Sequence, residues 1–219
     1  MDFPEIKCKS LADQAYEYLS ASIIEGKIKA GENLVEKDLC QKFGISRSPL
    51  RECFRILEAD GLIAINPRRG AYARKLLRKD VEDIFIVRTK LESLAAKLAV
   101  PNITENEIGT FNDLIIKMDE AVAKGNTKSF IELNDAFHNI FIEASNNEIL
   151  KNNLKNPGKG IWRRVSILYF HSPLALDLSS NKHKEIVEAF IKKDSISVER
   201  LVEEHLERAQ NHLLSSLPF

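Results

Sequence analysis

Residues 34–70 read LVEKDLCQKFGISRSPLRECFRILEADGLIAINPRRG, and the fold follows from how this stretch divides. Residues 35–43 predict a short helix in which Leu39 and Phe43, four apart, share one face. Gly44-Ile45 is the tight turn expected between the two helices of a helix-turn-helix. Ser46 is placed to cap a second helix, and Pro49 falls in its first turn, where backbone N–H groups have no intrahelical partner to lose. Leu50, Cys53, Phe54 and Leu57 then form an apolar stripe at helical spacing. Asp60-Gly61 stops this helix. Residues 62–65 predict a short strand, 66–70 a turn, and 71–73 the returning strand of a small hairpin.

The polar face of the second helix carries Arg47, Ser48, Arg51 and Arg55, gathered toward its N-terminal end. A helix that enters the DNA major groove is built this way: its N-terminal residues reach base edges while its back packs on the domain. Arginine suits that work because its planar fork bonds guanine O6 and N7 together, or clamps a phosphate. Further on, Arg68, Arg69, Arg74, Lys75, Arg78 and Lys79 follow one another with no acidic residue between them. Two arginines at a hairpin tip suit phosphates or the minor groove. Any single arginine here reads equally well as ordinary surface. The ordered series of helix, turn, arginine-faced helix and basic hairpin does not.

Composition narrows the rest. The chain has 219 residues, enough for two modest domains, and its 44% hydrophobic content suits packed cores rather than disorder. A net charge of zero argues against a nonspecific polycation and leaves the basic character local. Cys8, Cys40 and Cys53 are odd in number and lack CxxC spacing, so a reducing cytoplasm is expected rather than a disulfide framework. No signal-peptide core is evident, and no apolar run approaches the roughly 20 residues that span a bilayer. Upstream, residues 10–25 predict a helix capped by Ser10, with Leu11, Ala15, Tyr18, Leu19 and Ile23 as its core stripe before Gly26. Residues 27–34 are expected to form a turn-rich link.

From Asp80 onward the pattern is helical. Asp80 is expected to cap a long helix on which Val81, Ile84, Phe85, Leu91, Leu94, Ala95 and Leu98 keep the apolar period until Pro101. Thr104 with Glu107 is a capping box for the next helix, which stops at Gly125. A third starts at Thr127 and turns Phe130, Leu133, Phe137, Ile140 and Phe141 inward. Residues 148–169 are helical in pattern but interrupted by NPGKG at 156–160, and two more helices are expected near 181–193 and 197–215. The expected architecture is mainly α. Residues 1–76 would form a winged helix-turn-helix with a small β-hairpin wing, and residues 80–219 an all-α antiparallel helical bundle.

The run from Leu39 to Gly70 resembles the GntR family of bacterial winged-helix regulators. GISRSPLRECFRILEADGLI follows that family's pattern almost residue for residue, and PRRGAY matches its wing. The second half is similar to the all-helical FCD domain of the FadR-type branch, through VRTKLESLAAKLA, LNDAFHNIFIEASNNEIL, HKEIVEAFIKKD and VERLVEEHL. Its short linker and helix count are like the compact six-helix subgroup, with NPGKG as a departure. The resemblance implies a cytoplasmic, sequence-specific DNA-binding transcriptional regulator, a repressor, acting as a homodimer on a palindromic operator in double-stranded DNA. Its DNA-facing positions fall on Lys37, Ser46, Arg47, Ser48, Arg51 and Arg68, with Arg69 and Gly70 completing the wing.

Histidine carries the chemistry of the second domain. Asn134 and His138, four apart, leave the third helix of the bundle on one face; His183 opens a later helix and His205 lies midway along the last. Spacing alone reads as scattered helix histidines. The resemblance implies a divalent-metal site on Asn134, His138, His183 and His205, and imidazole nitrogens suit zinc or nickel. Asn134 stands where many relatives carry aspartate, which removes a negative charge and keeps a metal-free pocket open as an alternative. Asp135 points about a hundred degrees round the helix. Arg88 matches a recurrent family arginine that could pair with the carboxylate of a small organic-acid effector, with a salt bridge to Glu92 as the competing reading. Arg163 and Arg164 are weaker candidates of the same kind, and His171 and His212 fall outside the pattern. No catalytic residue is expected. The rival class is a metallohydrolase whose histidines activate water, but the chain lacks HExxH and shows no acidic base beside the histidines.

Overall fold

A computed structural model describes residues 9–155 and 159–216 of the chain. Cys8 and residues 156–158, the opening of NPGKG, lie outside the described residues, and with them the point where the helix is expected either to break or to loop out. The chain divides into two compact units. The first runs through Lys75; the second is built from Leu76 onward, apart from a few residues at the start of one helix.

In the first unit Ser10 caps α1 (Leu11–Ile24), its hydroxyl accepting from the Asp13 N–H while the Asp13 carboxylate accepts from the Ser10 N–H. The buried face is Ala12, Ala15, Leu19 and Ile23. Leu11 and Tyr18, expected in that stripe, sit on its flank and are exposed. Tyr18 instead meets Phe43 edge-on at 5.4 Å. Residues 27–34 are more than a link, because Asn33–Leu34 forms β1. Next come α2 (Glu36–Phe43), α3 (Arg47–Ala59), β2 (Ile63–Asn66) and β3 (Gly70–Ala73). β3 is the central strand, antiparallel to both neighbours, with Ala71 opposite Leu34 on one side and Ile65 on the other. A two-residue strand is too short to show alternation, so only the pairing reveals β1. Leu19, Leu50, Cys53, Phe54, Leu57, Leu62 and Ile63 close the core of this unit.

The second unit is helical throughout its described residues: α4 (Arg78–Ala99), α5 (Glu105–Ala123), α6 (Thr127–Ala144), α7 (Glu148–Lys155), α8 (Lys159–Phe170), α9 (Pro173–Ile191) and α10 (Ser195–Ser216). Leu77, not Asp80, takes the cap position of α4. Asp80 is the third helical residue and accepts from the Leu77 N–H at 2.9 Å. Thr104 and Glu107 form the expected capping box of α5. α9 starts earlier than the sequence pattern suggests, with Pro173 at the first position, where its fixed φ fits. On α4 the buried residues include Val81, Phe85, Thr89, Glu92, Ala96 and Ala99, so Leu94 and Leu98, expected inward, are exposed. α10 packs along α4 and α9, α5 against α6 and α9, and α4 against α6. Five helices, α4, α5, α6, α9 and α10, therefore frame the interior. No helix among the described residues is long and apolar enough to cross a membrane.

Candidate nucleic-acid interface and metal centre

The first unit presents α3 by holding it from behind. Gly44 ends α2 at φ 65°, a left-handed conformation that glycine adopts without steric cost, and the turn delivers the chain to α3. Leu50, Cys53 and Leu57 are fully buried under α3, while Arg47, Ser48, Arg51 and Arg55 are exposed on its other face. Ser46 occupies the cap position with extended backbone, but its hydroxyl makes no capping bond. Lys37 is exposed on α2. Arg51 is engaged: its Nε and Nη2 donate to the Glu36 carboxylate at 3.1 and 3.2 Å. At the hairpin tip the Asn66 side chain accepts from the N–H groups of Arg68 and Arg69, and Gly70 turns the chain at φ 78°. Arg69 lies over the Tyr72 ring at 4.8 Å and donates to the Gly31 carbonyl, whereas Arg68 is exposed. Between α3 and the sheet runs a groove of about 510 Å³, with Arg51, Arg55 and Arg69 on its walls. Such a surface can offer guanidinium groups to bases and phosphates along one line.

The second unit gathers histidines from three helices. His138 of α6, His183 of α9 and His205 of α10 each offer a ring nitrogen, and these atoms all lie within 4.8 Å of one another. The ring centroids are 4.9–5.6 Å apart. Asn134, one turn before His138, is buried with them, so all four expected residues lie in one region of the interior. The buried atoms Asn134 Oδ1, His138 Nε2 and both His183 ring nitrogens have no hydrogen-bond partner. A cation would satisfy the acceptors among them, Asn134 Oδ1, His138 Nε2 and one nitrogen of His183. Burial, reinforced by the neighbouring histidines, pushes His183 well below the usual imidazole range and His205 down to about 3. Neutral imidazoles are the form that binds metal.

Contrary to the expectation that no acid stands beside the histidines, fully buried Glu92 of α4 lies 2.6 Å from His138 Nδ1. A carboxylate there accepts from Nδ1–H and leaves Nε2 as the free donor to a metal, the arrangement that orients metal-bound imidazoles elsewhere. Burial would raise the Glu92 carboxyl, but Arg88 and His138 hold it down to about 2. The sequence does carry a signal for Glu92: it is an acid at a position on the inward stripe of α4. Arg88 bonds Glu92 at 2.5 Å and lies over the Trp162 ring at 4.1 Å, so the ion pair and the candidate effector contact share one side chain. Asp135 faces away to Arg163, bonded at 2.8 Å. His171 is exposed and His212 meets Tyr169 edge-on; neither joins the cluster.

Comparison with known proteins agrees in both halves. Residues 11–72 match the model described as bacterial regulatory proteins, gntR family, and residues 83–208 match the FCD domain. The Bacillus subtilis protein called uncharacterized HTH-type transcriptional regulator YdhC is 32% identical over 91% of this chain and 89% of its own. The Escherichia coli HTH-type transcriptional repressor RspR is 29% identical over 89% of this chain and 85% of its own. Among solved structures, E. coli McbR/YncC shares the fold at TM-score 0.75 and 22% identity, covering 95% of this chain and 99% of that one. An arginine-faced helix braced on a buried stripe, joined in one chain to an FCD bundle, is the organisation of a regulator and not of a hydrolase: the chain belongs to the gntR family and is a DNA-binding transcriptional regulator.

Proposed function

We propose that this regulator is a cytoplasmic homodimeric repressor that binds a palindromic operator and is controlled by a small carboxylate effector held with a divalent metal. Lys37, Ser46, Arg47, Ser48, Arg51, Arg68, Arg69 and Gly70 form the DNA contact. Exposure of each of these positions supports that assignment, and the repressor named among the relatives supports the sign of regulation. One recognition helix reads only a short half-site, so useful specificity needs two copies.

The observation that carries the control site is the meeting of His138, His183 and His205 with orphaned nitrogens in the interior. Together with Asn134 they would hold zinc or nickel. Two nitrogens at about 2.1 Å from one ion lie at most about 4.2 Å apart, so the set closes by a small ring movement. The ion would supply a fixed positive charge for an anionic effector. Arg88 would add a second cationic contact for that anion. Metal analysis of the purified full-length chain tests this: about one equivalent of metal is expected, lost in His183→Ala. Metal content unchanged in a variant lacking all three histidines would refute it and leave the metal-free pocket as the reading.

A further inference from the structure

Among the described residues, the buried side-chain polar atoms without a partner belong to Asn134, His138, His183 and one residue outside the histidine set, Ser179. Ser179 is 1% exposed, and its hydroxyl is sealed from water with nothing bonded to it. A helix-interior serine commonly satisfies its hydroxyl on the carbonyl four residues back, as Ser22 does on Tyr18 at 2.8 Å. Ser180, next along the chain, bonds Asp119. Ser179 does neither. It lies one turn before His183 on α9, on the buried line that continues through Ile186 and Phe190. Residues four apart stand about 5–6 Å from each other at Cβ, and helix side chains lean toward the N-terminus. The His183 ring therefore leans along α9 toward Ser179, one turn away.

We propose that Ser179 is a binding residue of the histidine chamber, its hydroxyl donating to an oxygen of a small carboxylate taken up beside the histidines. The inference rests on the metal-assisted reading of the site. A divalent ion held by three neutral imidazoles and a neutral amide keeps both positive charges, and Glu92 is already balanced by Arg88. The chamber then calls for an anion, and a carboxylate oxygen buried there needs a donor. One nitrogen of each imidazole would be taken up by the ion, which leaves the Ser179 hydroxyl and the remaining His183 N–H as unpartnered neutral donors on α9. Asn134, His138, Ser179, His183 and His205 are each less than a tenth exposed, so an anion held among them is shielded from water.

The test uses the full chain loaded with cobalt(II) and titrated with acetate, following the visible absorption of the cobalt. Chelator competition gives the metal affinity in parallel. Ser179→Ala is expected to hold cobalt within about twofold of wild type while binding acetate about tenfold more weakly. Ser180→Ala, outside the chamber, should match wild type in both. Equal acetate affinity in Ser179→Ala overturns the proposal, and so does a parallel loss of cobalt, which would make the serine a metal or packing residue. Cobalt uptake with no acetate response in wild type overturns the carboxylate as occupant. A wild-type chain that takes up no cobalt defeats the metal reading itself, an outcome distinct from the others because no loaded protein is obtained.

Discussion

Arg51 and Arg47 do different things in the free protein: Arg51 is bonded to Glu36, while Arg47 opens α3 in solvent. Arg47→Ala is expected to weaken specific operator binding by about 1–3 kcal/mol if the side chain reads a base, and chiefly to flatten the salt dependence if it holds a phosphate. Arg51→Ala should cost less than a base contact of the same kind, since wild-type Arg51 must first exchange its carboxylate for DNA. Quantitative binding across a salt series distinguishes these; unchanged affinity and slope in both variants would remove α3 from the interface. At the other site, His183 and His205 are held neutral by burial and by neighbouring histidines, His138 acting on both. Their folded pKa values lie below the unfolded value of 6.5, so below that pH the unfolded chain takes up protons that the folded chain refuses. Metal-free protein should therefore lose stability as pH falls from about 6.5 toward 3, by roughly 1.4 kcal/mol per pH unit through His205, with His183 adding a loss of the same sign. Glu92, lowered from 4.5 to about 2, adds its own loss only at the acid end of that window. Thermal melts of the metal-free chain from pH 7 to 5 check this, and a flat profile would contradict it.

Helices were legible where the buried side of the element is apolar. α3 shows its stripe and its turn plainly because every inward position is a hydrocarbon or a thiol, and Gly44 marks the one backbone conformation that a side chain resists. Gly44→Ala meets no atom within 4 Å, so its cost is backbone alone: about 1–2 kcal/mol of stability, read as a lower Tm, with no change in α3 contacts. The reading failed where the interior is polar. On α4, Val81, Phe85 and Ala95 face inward as expected, but Thr89 and Glu92 take inward positions too while Leu94 and Leu98 are exposed, so hydrophobic periodicity drew the stripe too far to one side. Ser179 escaped for the same reason. The histidines of α6, α9 and α10 were identified by likeness to a family, since spacing alone could not say that three separate helices would bring them together. β1 was missed because pairing with β3, a tertiary event, is what makes two residues a strand.

With zero net charge, the chain has no long-range pull on nucleic acid as a whole. On the proposed reading, affinity comes from the local arginine surface used twice, and the dimer would belong to the function. Light scattering of the purified protein should give twice the 24.8 kDa chain mass, and footprints on a selected operator should show a dyad with half-sites about one helical turn apart. A stable monomer leaving an asymmetric footprint would contradict this. The histidine cluster has one more implication, and it concerns time. Its three rings come from helices far apart in the chain and lie behind packed side chains, so traffic in or out must wait for the bundle to part. The rate of such local opening, rather than affinity, would then govern exchange. Isotopic metal exchange should run at the pace of amide hydrogen exchange in α6, α9 and α10. A chain that took its proposed metal this way would keep a memory of the metal supply at its own birth.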